Sequence, residues 1–140
     1  MASRDDLIYL AGFFDGEGSV MAKKGGLNCL ITLSISNTDL DVLQWIAQTF
    51  GGQVATHHNP TPYTRKNAWK WELHGEAAIK LLQELIPFLK TKKERAQIAI
   101  TYPLYKRGIG KLPKEILQQR TNLWFELRRL NRRGPVEMEI

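Results

Sequence analysis

The sequence predicts an α+β fold in the order αββαββα, with a four-stranded antiparallel sheet backed by helices and further helices at the C-terminal end. Three observations carry this. Residues 28–36 alternate strictly, with Cys29, Ile31, Leu33 and Ile35 on one side and Asn28, Leu30, Thr32, Ser34 and Ser36 on the other, the pattern of a half-buried strand. Helical spacing then places Leu40, Leu43, Ile46, Ala47 and Phe50 on one face. Finally, 140 residues with 43% hydrophobic content and four tryptophans suffice for one core, and no linker divides the chain, so residues 1–140 are expected to be a single domain.

The elements follow in order. Asp5 or Asp6 is suited to start a first helix ending near Asp15. Val20 and Ala22 alternate with Met21 and Lys23 as a first strand, and Lys24-Gly-Gly26 turns into the second. Thr38 or Asn37 is placed to cap the helix that ends at Gly51-Gly52. Residues 53–58 read as a third strand, Asn59-Pro-Thr-Pro-Tyr63 as a loop and residues 66–74 as a fourth strand. There Trp69, Trp71 and Leu73 alternate with Lys70, Glu72 and His74, and the tryptophans are expected in the core. A helix from Gly75 is stopped by Pro87, another runs from Thr91 to about Tyr102, and residues 106–112 form a basic loop. Pro113 opens a last helix to about Leu130, with Ile116, Leu123, Leu127 and Leu130 as its apolar stripe.

Composition excludes several classes. No run of 18 apolar residues and no charged-then-apolar leader is present, so an intracellular protein is expected, in a prokaryotic cytoplasm or an organelle. The single Cys29 rules out an internal disulfide framework, and His57, His58 and His74 lack metal-ligand spacing. The net charge of +6 is unevenly distributed. Residues 90–140 carry 13 Lys/Arg against 5 Asp/Glu, a net of +8, whereas residues 1–89 carry 7 against 9, a net of −2. The basic half is interleaved with Tyr102, Leu104, Trp124, Phe125 and Leu127, which marks it as folded and suits a polyanionic partner.

The most informative stretch is Leu7-Ile-Tyr-Leu-Ala-Gly-Phe-Phe-Asp-Gly-Glu-Gly-Ser-Val20. Ile8, Gly12 and Asp15 share a helical face. Gly12 in mid-helix is worth roughly 1 kcal/mol less than alanine, a cost that close approach to another helix would justify. Asp15-x-Glu17-x-Ser19 begins like a calcium loop, but Val20 stands at the required glycine and Gly26 at the required final acid. Residues Leu10-Ala-Gly-Phe-Phe-Asp-Gly-Glu-Gly-Ser19 resemble the signature of the LAGLIDADG homing endonucleases. Ser36-Asn37-Thr38-Asp39, Phe50-Gly51-Gly52 and Leu85-Ile-Pro-Phe-Leu-Lys-Thr-Lys-Lys93 extend the resemblance over most of residues 7–100. The last forty residues match only in being helical. There is one copy of the motif.

The resemblance implies a site-specific double-strand DNA endonuclease of intron-homing type, metal-dependent and acting on a long pseudo-palindrome. Mg²⁺ is the expected cofactor, other divalent cations being possible, with Glu17 and the Gly16 carbonyl as its ligands. A single motif implies a homodimer, with Ile8, Ala11, Gly12 and Asp15 on the interface face, Asp15 in a structural role. Lys92 matches the lysine placed near the scissile phosphate, and Asn37 a residue that orders water. The second acid is commonly aspartate, so Glu17 reaches one C–C bond further, ~1.5 Å, and shifts the metal geometry. By strand face, Met21, Lys23, Asn28, Leu30, Thr32, Ser34, Gln53, His57, Lys70 and Glu72 are expected in the major groove. Lys106, Arg107, Lys111, Arg128, Arg129, Arg132 and Arg133 are expected on phosphates. Strands of about 9 residues reach roughly 9 base pairs per subunit. The alternative is a non-catalytic or bifunctional RNA splicing maturase, or a DNA-binding regulator, on the same scaffold.

Overall fold

Ser3, not Asp5 or Asp6, starts the first helix: its hydroxyl accepts from the Asp6 amide while the Asp6 carboxylate accepts from the Ser3 amide, a reciprocal capping box. In the computed structural model, which describes residues 2–26, 28–58, 67–105 and 111–132, this helix is α1 (Arg4–Glu17). It is followed by β1 (Gly18–Gly25), β2 (Asn28–Asn37), α2 (Leu40–Phe50), β3 (Gln53–His58) and β4 (Ala68–His74). Then come α3 (Gly75–Leu85), a 3-10 turn (Ile86–Phe88) containing Pro87, α4 (Lys93–Ala99) and α5 (Lys114–Leu130). The expected α+β order is the observed one.

The four strands form one antiparallel sheet in the order β1-β2-β4-β3. Gly18 pairs with Ile35 and Gly25 with Asn28 across the first hairpin, and Ser34 pairs with Glu72 across β2 and β4. The helices cover one face. Val20, Ile31, Leu33, Ile35 and Trp71 point into that layer and meet Leu10 and Phe14 of α1, Leu43 and Ile46 of α2, Leu82 and Leu85 of α3 and Leu127 of α5, all but lost from solvent. Burying each such side chain is worth about 1.5–3 kcal/mol, so this layer supplies the main driving force.

Several boundaries differ from the sequence expectation for identifiable reasons. Asp39, not Thr38 or Asn37, caps α2 by accepting from the Val42 amide, and Asn37 instead accepts from the Asp39 amide. The α4 helix begins at Lys93, because Thr91 and Lys92 are held in a turn by contacts with α1. Pro113 is the residue before α5 rather than its first helical residue. The apolar stripe of α5 contains a buried Arg120, whose guanidinium donates to the Pro103 carbonyl and the Asn28 side chain and lies over the Tyr102 ring. Every polar atom that this burial would strand therefore has a partner.

Two glycines are fixed by packing. A Cβ on Gly18 would collide with the Phe14 ring, so the exit from α1 needs glycine for space, its backbone being extended. Gly52 has φ +95°, and a Cβ there would meet Trp71 Nε1 at 2.5 Å and the Glu72 carbonyl at 2.6 Å. Trp71 Nε1 donates to the Gly51 carbonyl at 2.8 Å, so this turn is tied to the centre of the core. The Gly52→Ala variant should lose about 2 kcal/mol or more of unfolding free energy in urea titration, from the positive φ and the collision together. A loss within ~0.5 kcal/mol would contradict this placement.

Candidate functional site

The C-terminal end of α1 carries Asp15 and Glu17, and no basic residue lies in its last turn. Carboxylates at this end face the negative pole of the helix and are unfavourable there unless a positive group comes from elsewhere. The turn before α4 supplies it. Asp15 accepts from the Lys90 amide at 2.7 Å and from the Lys92 amide at 3.1 Å. The Asp15 carbonyl accepts from Thr91 Oγ1 at 3.0 Å and from Lys92 Nζ at 2.6 Å. A residue 77 positions away is thereby fixed at the end of the motif helix. Glu17, exposed as the last residue of α1, is close enough for its charge to act on Lys92. The Lys92 pKa is lowered nevertheless: removal from water has the largest effect, the Arg95 cation adds to it, and Asp15 and Glu17 act in the opposite direction.

Among the described residues, no group of three or more His, Cys, Asp or Glu side chains could hold a metal. Glu17 with the neighbouring backbone carbonyls is a hard-oxygen donor set of the right chemistry for Mg²⁺ or Ca²⁺, but one chain provides only one such carboxylate at this point. Asn37 ends β2 two residues beyond Ile35, the partner of Gly18, and so lies toward the same end of the sheet.

The sheet face turned away from the helices carries a polar lattice. Lys70 Nζ lies 3.3 Å from Glu72, Glu72 3.8 Å from His74 Nε2, and His74 Nδ1 2.9 Å from Thr32 Oγ1. Ser19 and Ser34 share a 2.8 Å hydrogen bond. Met21, Lys23, Leu30, Gln53, Lys70 and Glu72 keep some exposure. Thr32 and Ser34 do not: both are buried beneath their cross-strand neighbours, so they orient His74 and Ser19 rather than present themselves. Asn28 turns its carbonyl oxygen to the Cys29 amide and Arg120, away from the open face. The β3–β4 register shifts between Thr56 and His58, and His58 pairs with Ala68, so simple alternation does not extend to His57, whose side chain lies outside the described residues.

Beside this face a cavity of about 540 Å³ opens between β1, α4 and α5. Ser19 and Met21 form its sheet side, and Lys92, Arg95, Arg128 and Arg132 bring four cations to it. Arg128 also lies over the Trp124 ring at 5.0 Å. Arg129, by contrast, is paired with Glu126 at 3.3 Å and does not line the cavity. Lys111 is exposed ahead of α5, and Lys106, Arg107 and Arg133 lie outside the described residues.

The exposed face of α1 carries Asp5, Ile8, Tyr9, Gly12 and Gly16, the Tyr9 ring also meeting the Trp45 ring of α2 edge-on at 5.4 Å. Among the described residues nothing lies within 4 Å of a Cβ placed on Gly12 or Gly16, so neither glycine is required by their packing. Ala11, one turn on from Ile8, is fully buried in the chain's own core and so leaves no surface for a subunit contact. Asp15 is engaged by the turn at Lys90–Lys92. In the sequence His74 reads as structural or DNA-facing, and nothing there singles out Ser19, Arg95 or Asn131. His74 alternates with the lysine and glutamate of β4 and was accessible to strand parity, whereas Arg95 and Asn131 matter only through tertiary contacts.

Because folding lowers the Lys92 pKa, its charged form is disfavoured in the native state. That penalty is full below the folded-state pKa, shrinks as pH rises through it, and is gone above the pKa of the unfolded chain. Titration of the Lys92 ε-methylene resonance should give a midpoint below that of the exposed lysines, and Arg95→Gln should move it upward. A midpoint at or above the exposed lysines would contradict the described surroundings.

The sequence matches the model of the LAGLIDADG endonuclease family, over residues 10–107. Among curated proteins no sequence relative is similar enough to count as a match. The fold resembles that of the homing endonuclease I-CvuI, solved in complex with the I-CreI target DNA and Mg, the DNA not cleaved (TM-score 0.74, 19% identity, 94% of this chain and 85% of that one). It also resembles the archaeal intron-encoded homing endonuclease I-Vdi141I complexed with DNA (TM-score 0.66, 19% identity, 93% and 86%). I-SmaMI, bound to an uncleaved DNA target in the presence of calcium ions, is similar over 94% of this chain but only 46% of its own (TM-score 0.52, 19% identity). With the motif helix, the four-stranded sheet and the match spanning most of its length, the chain belongs to the LAGLIDADG endonuclease family.

Proposed function

We propose that this chain is a site-specific, divalent-metal-dependent DNA endonuclease of intron-homing type that works as a homodimer and cuts both strands of a long pseudo-palindromic site. The observation that carries this is the end of α1: an exposed Glu17, with Lys92 fixed beside it, on a helix whose outer face is bare at Gly12 and Gly16. A second copy packed on that face would bring two Glu17 carboxylates together and complete a donor set that one chain leaves half-built. The length relation to I-SmaMI, of which this chain spans 46%, is what two copies of one unit would reproduce.

In this assembly the open sheet face takes the major groove, with Met21, Lys23, Leu30, Gln53, Lys70, Glu72 and His74 toward base edges. The cations Arg128 and Arg132 meet phosphates, which position the duplex without reading sequence. Glu17 and the Gly16 carbonyl would hold the cation, which when bound supplies charge stabilisation to the phosphate and acidifies a water. Lys92 presents its ammonium to the phosphate on which negative charge develops, in a partly dry site where that attraction is strengthened. Asn37, with its carbonyl oxygen engaged by the Asp39 amide, is left to act on water through its amide.

A plasmid carrying the intron-insertion sequence should be linearised with Mg²⁺ and left intact with EDTA. Glu17→Gln should bind the site and fail to cut it. Cutting unchanged by this substitution would remove Glu17 from the mechanism. Binding by the unaltered protein without cutting would favour the non-catalytic binder or maturase. Gly12→Leu separates assembly from folding, because leucine is the better helix former by roughly 0.8 kcal/mol. The variant should unfold no more easily yet sediment as a monomer and lose double-strand cutting. A Gly12→Leu dimer that still cuts would place the subunit contact elsewhere.

A further inference from the structure

The turn that presents Lys92 is braced from the far end of the chain. Asn131, which follows α5, uses one carboxamide in two directions. Its Nδ2 donates to the Val20 carbonyl of edge strand β1 at 2.7 Å, and its Oδ1 accepts from Arg95 Nε at 2.8 Å. The same guanidinium donates to the Leu130 carbonyl at 2.7 Å and reaches the Thr91 carbonyl at 3.4 Å. Thr91 immediately precedes Lys92, and the hydroxyl of Thr91 and the ammonium of Lys92 both donate to the Asp15 carbonyl. The turn is thus tied to α1 through Asp15 and, separately, to β1 and α5 through Arg95 and Asn131.

We propose that Asn131 is a positioning residue for Lys92, acting through Arg95: it locks the Arg95 guanidinium against the edge of the sheet and the end of α5, and Arg95 in turn holds the turn that carries the lysine. The chemistry favours these residue types. A carboxamide offers a donor and an acceptor on one planar group, so it can cap a strand carbonyl and receive a guanidinium at once. Aspartate would keep the acceptor and set its charge against the Val20 carbonyl. A guanidinium places several donors in a rigid fork, which a lysine at position 95 would not reproduce although it would keep the charge. The brace also lies along the cavity that Arg128 and Arg132 share with Lys92, so the residues that would meet phosphates and the one that would serve the reacting phosphate stand on one frame.

The placement of Lys92 is independent of the proposed nuclease activity, and only its effect on cleavage rests on that activity. The test therefore has two readouts, made on the full chain. The first is the Lys92 ε-methylene resonance, assigned by its loss in Lys92→Met. In the unaltered protein it should be displaced from the free-lysine position and ordered. In Asn131→Leu and in Arg95→Lys it should move to the free-lysine position, while the core methyl signals of Leu82 and Leu85 stay in place. Asn131→Asp, which keeps the acceptor for Arg95 but loses the donor to the Val20 carbonyl, should leave the signal closer to its displaced position than Asn131→Leu does. The second readout is cleavage of the insertion-site duplex: the maximal rate should fall on the order of tenfold or more in Asn131→Leu and Arg95→Lys, with half-saturating DNA changed less than about twofold.

A Lys92 signal unmoved in both variants overturns the proposal, including when their melting temperatures fall, since that is what a merely structural role would give. If Asn131→Leu fails to fold, Arg95→Lys decides the matter, because it leaves α5 and Asn131 intact. A signal that moves in a protein that never cuts leaves the brace standing and removes the nuclease.

Discussion

Two carboxylates stand at the wrong end of a helix. Asp15 and Glu17 lie at the C-terminal pole of α1, where helix electrostatics oppose negative charge. The rest of the site depends on how that conflict is resolved. The Asp15 carboxylate accepts from two backbone amides of the turn before α4, and the carbonyl of the same residue receives the Thr91 hydroxyl and the Lys92 ammonium. Glu17, two residues further on, has no such sheath among the described residues and remains exposed. One acid holds the structure together so that the other can stay available. The depressed basicity of Lys92 reflects the same arrangement, because the lysine gives up water to reach Asp15 and comes to lie near Arg95.

The same helix also divides its faces. Leu10, Ala11 and Phe14 are sealed in the chain's core, while Ile8, Gly12 and Gly16 remain exposed. Glycines serve opposite ends here. Gly18 is needed because Phe14 fills the space beside it, whereas a Cβ on Gly12 or Gly16 would meet nothing within 4 Å among the described residues. Glycine at a solvent-facing helix position costs helix stability, and the proposed pairing would offset that cost at Gly12.

Much of this was legible because it depends on period and local chemistry. The alternation of β2, the limits of β3 and the apolar faces of α2 and α5 all follow from side-chain spacing. Glu17 and Lys92 were legible through motif resemblance alone, since 75 residues separate them and no periodicity relates them. What escaped was tertiary. Parity assigned Thr32 and Ser34 to the open face correctly but could not say that His74 and Ser19 would cover them. Arg120 occupies a stripe position that an apolar pattern would reserve for leucine, and only the convergence of Pro103, Asn28 and Tyr102 makes it stable there. Ser3 is masked in the sequence by the two aspartates near it, of which Asp6 is its reciprocal partner in the capping box.

The central claim is that the end of α1 is where the cation and Lys92 meet. Paramagnetic broadening by Mn²⁺, read by NMR on the protein bound to uncleavable duplex, tests it most directly. The account predicts that the Glu17 side chain, the Gly16 and Gly18 amides and the Lys92 ε-methylene broaden together at the lowest Mn²⁺ concentrations. Broadening that begins at the acids near the start of α1 and α2 (Asp5, Asp6 and Asp41), with Glu17 and Lys92 left sharp, would contradict it.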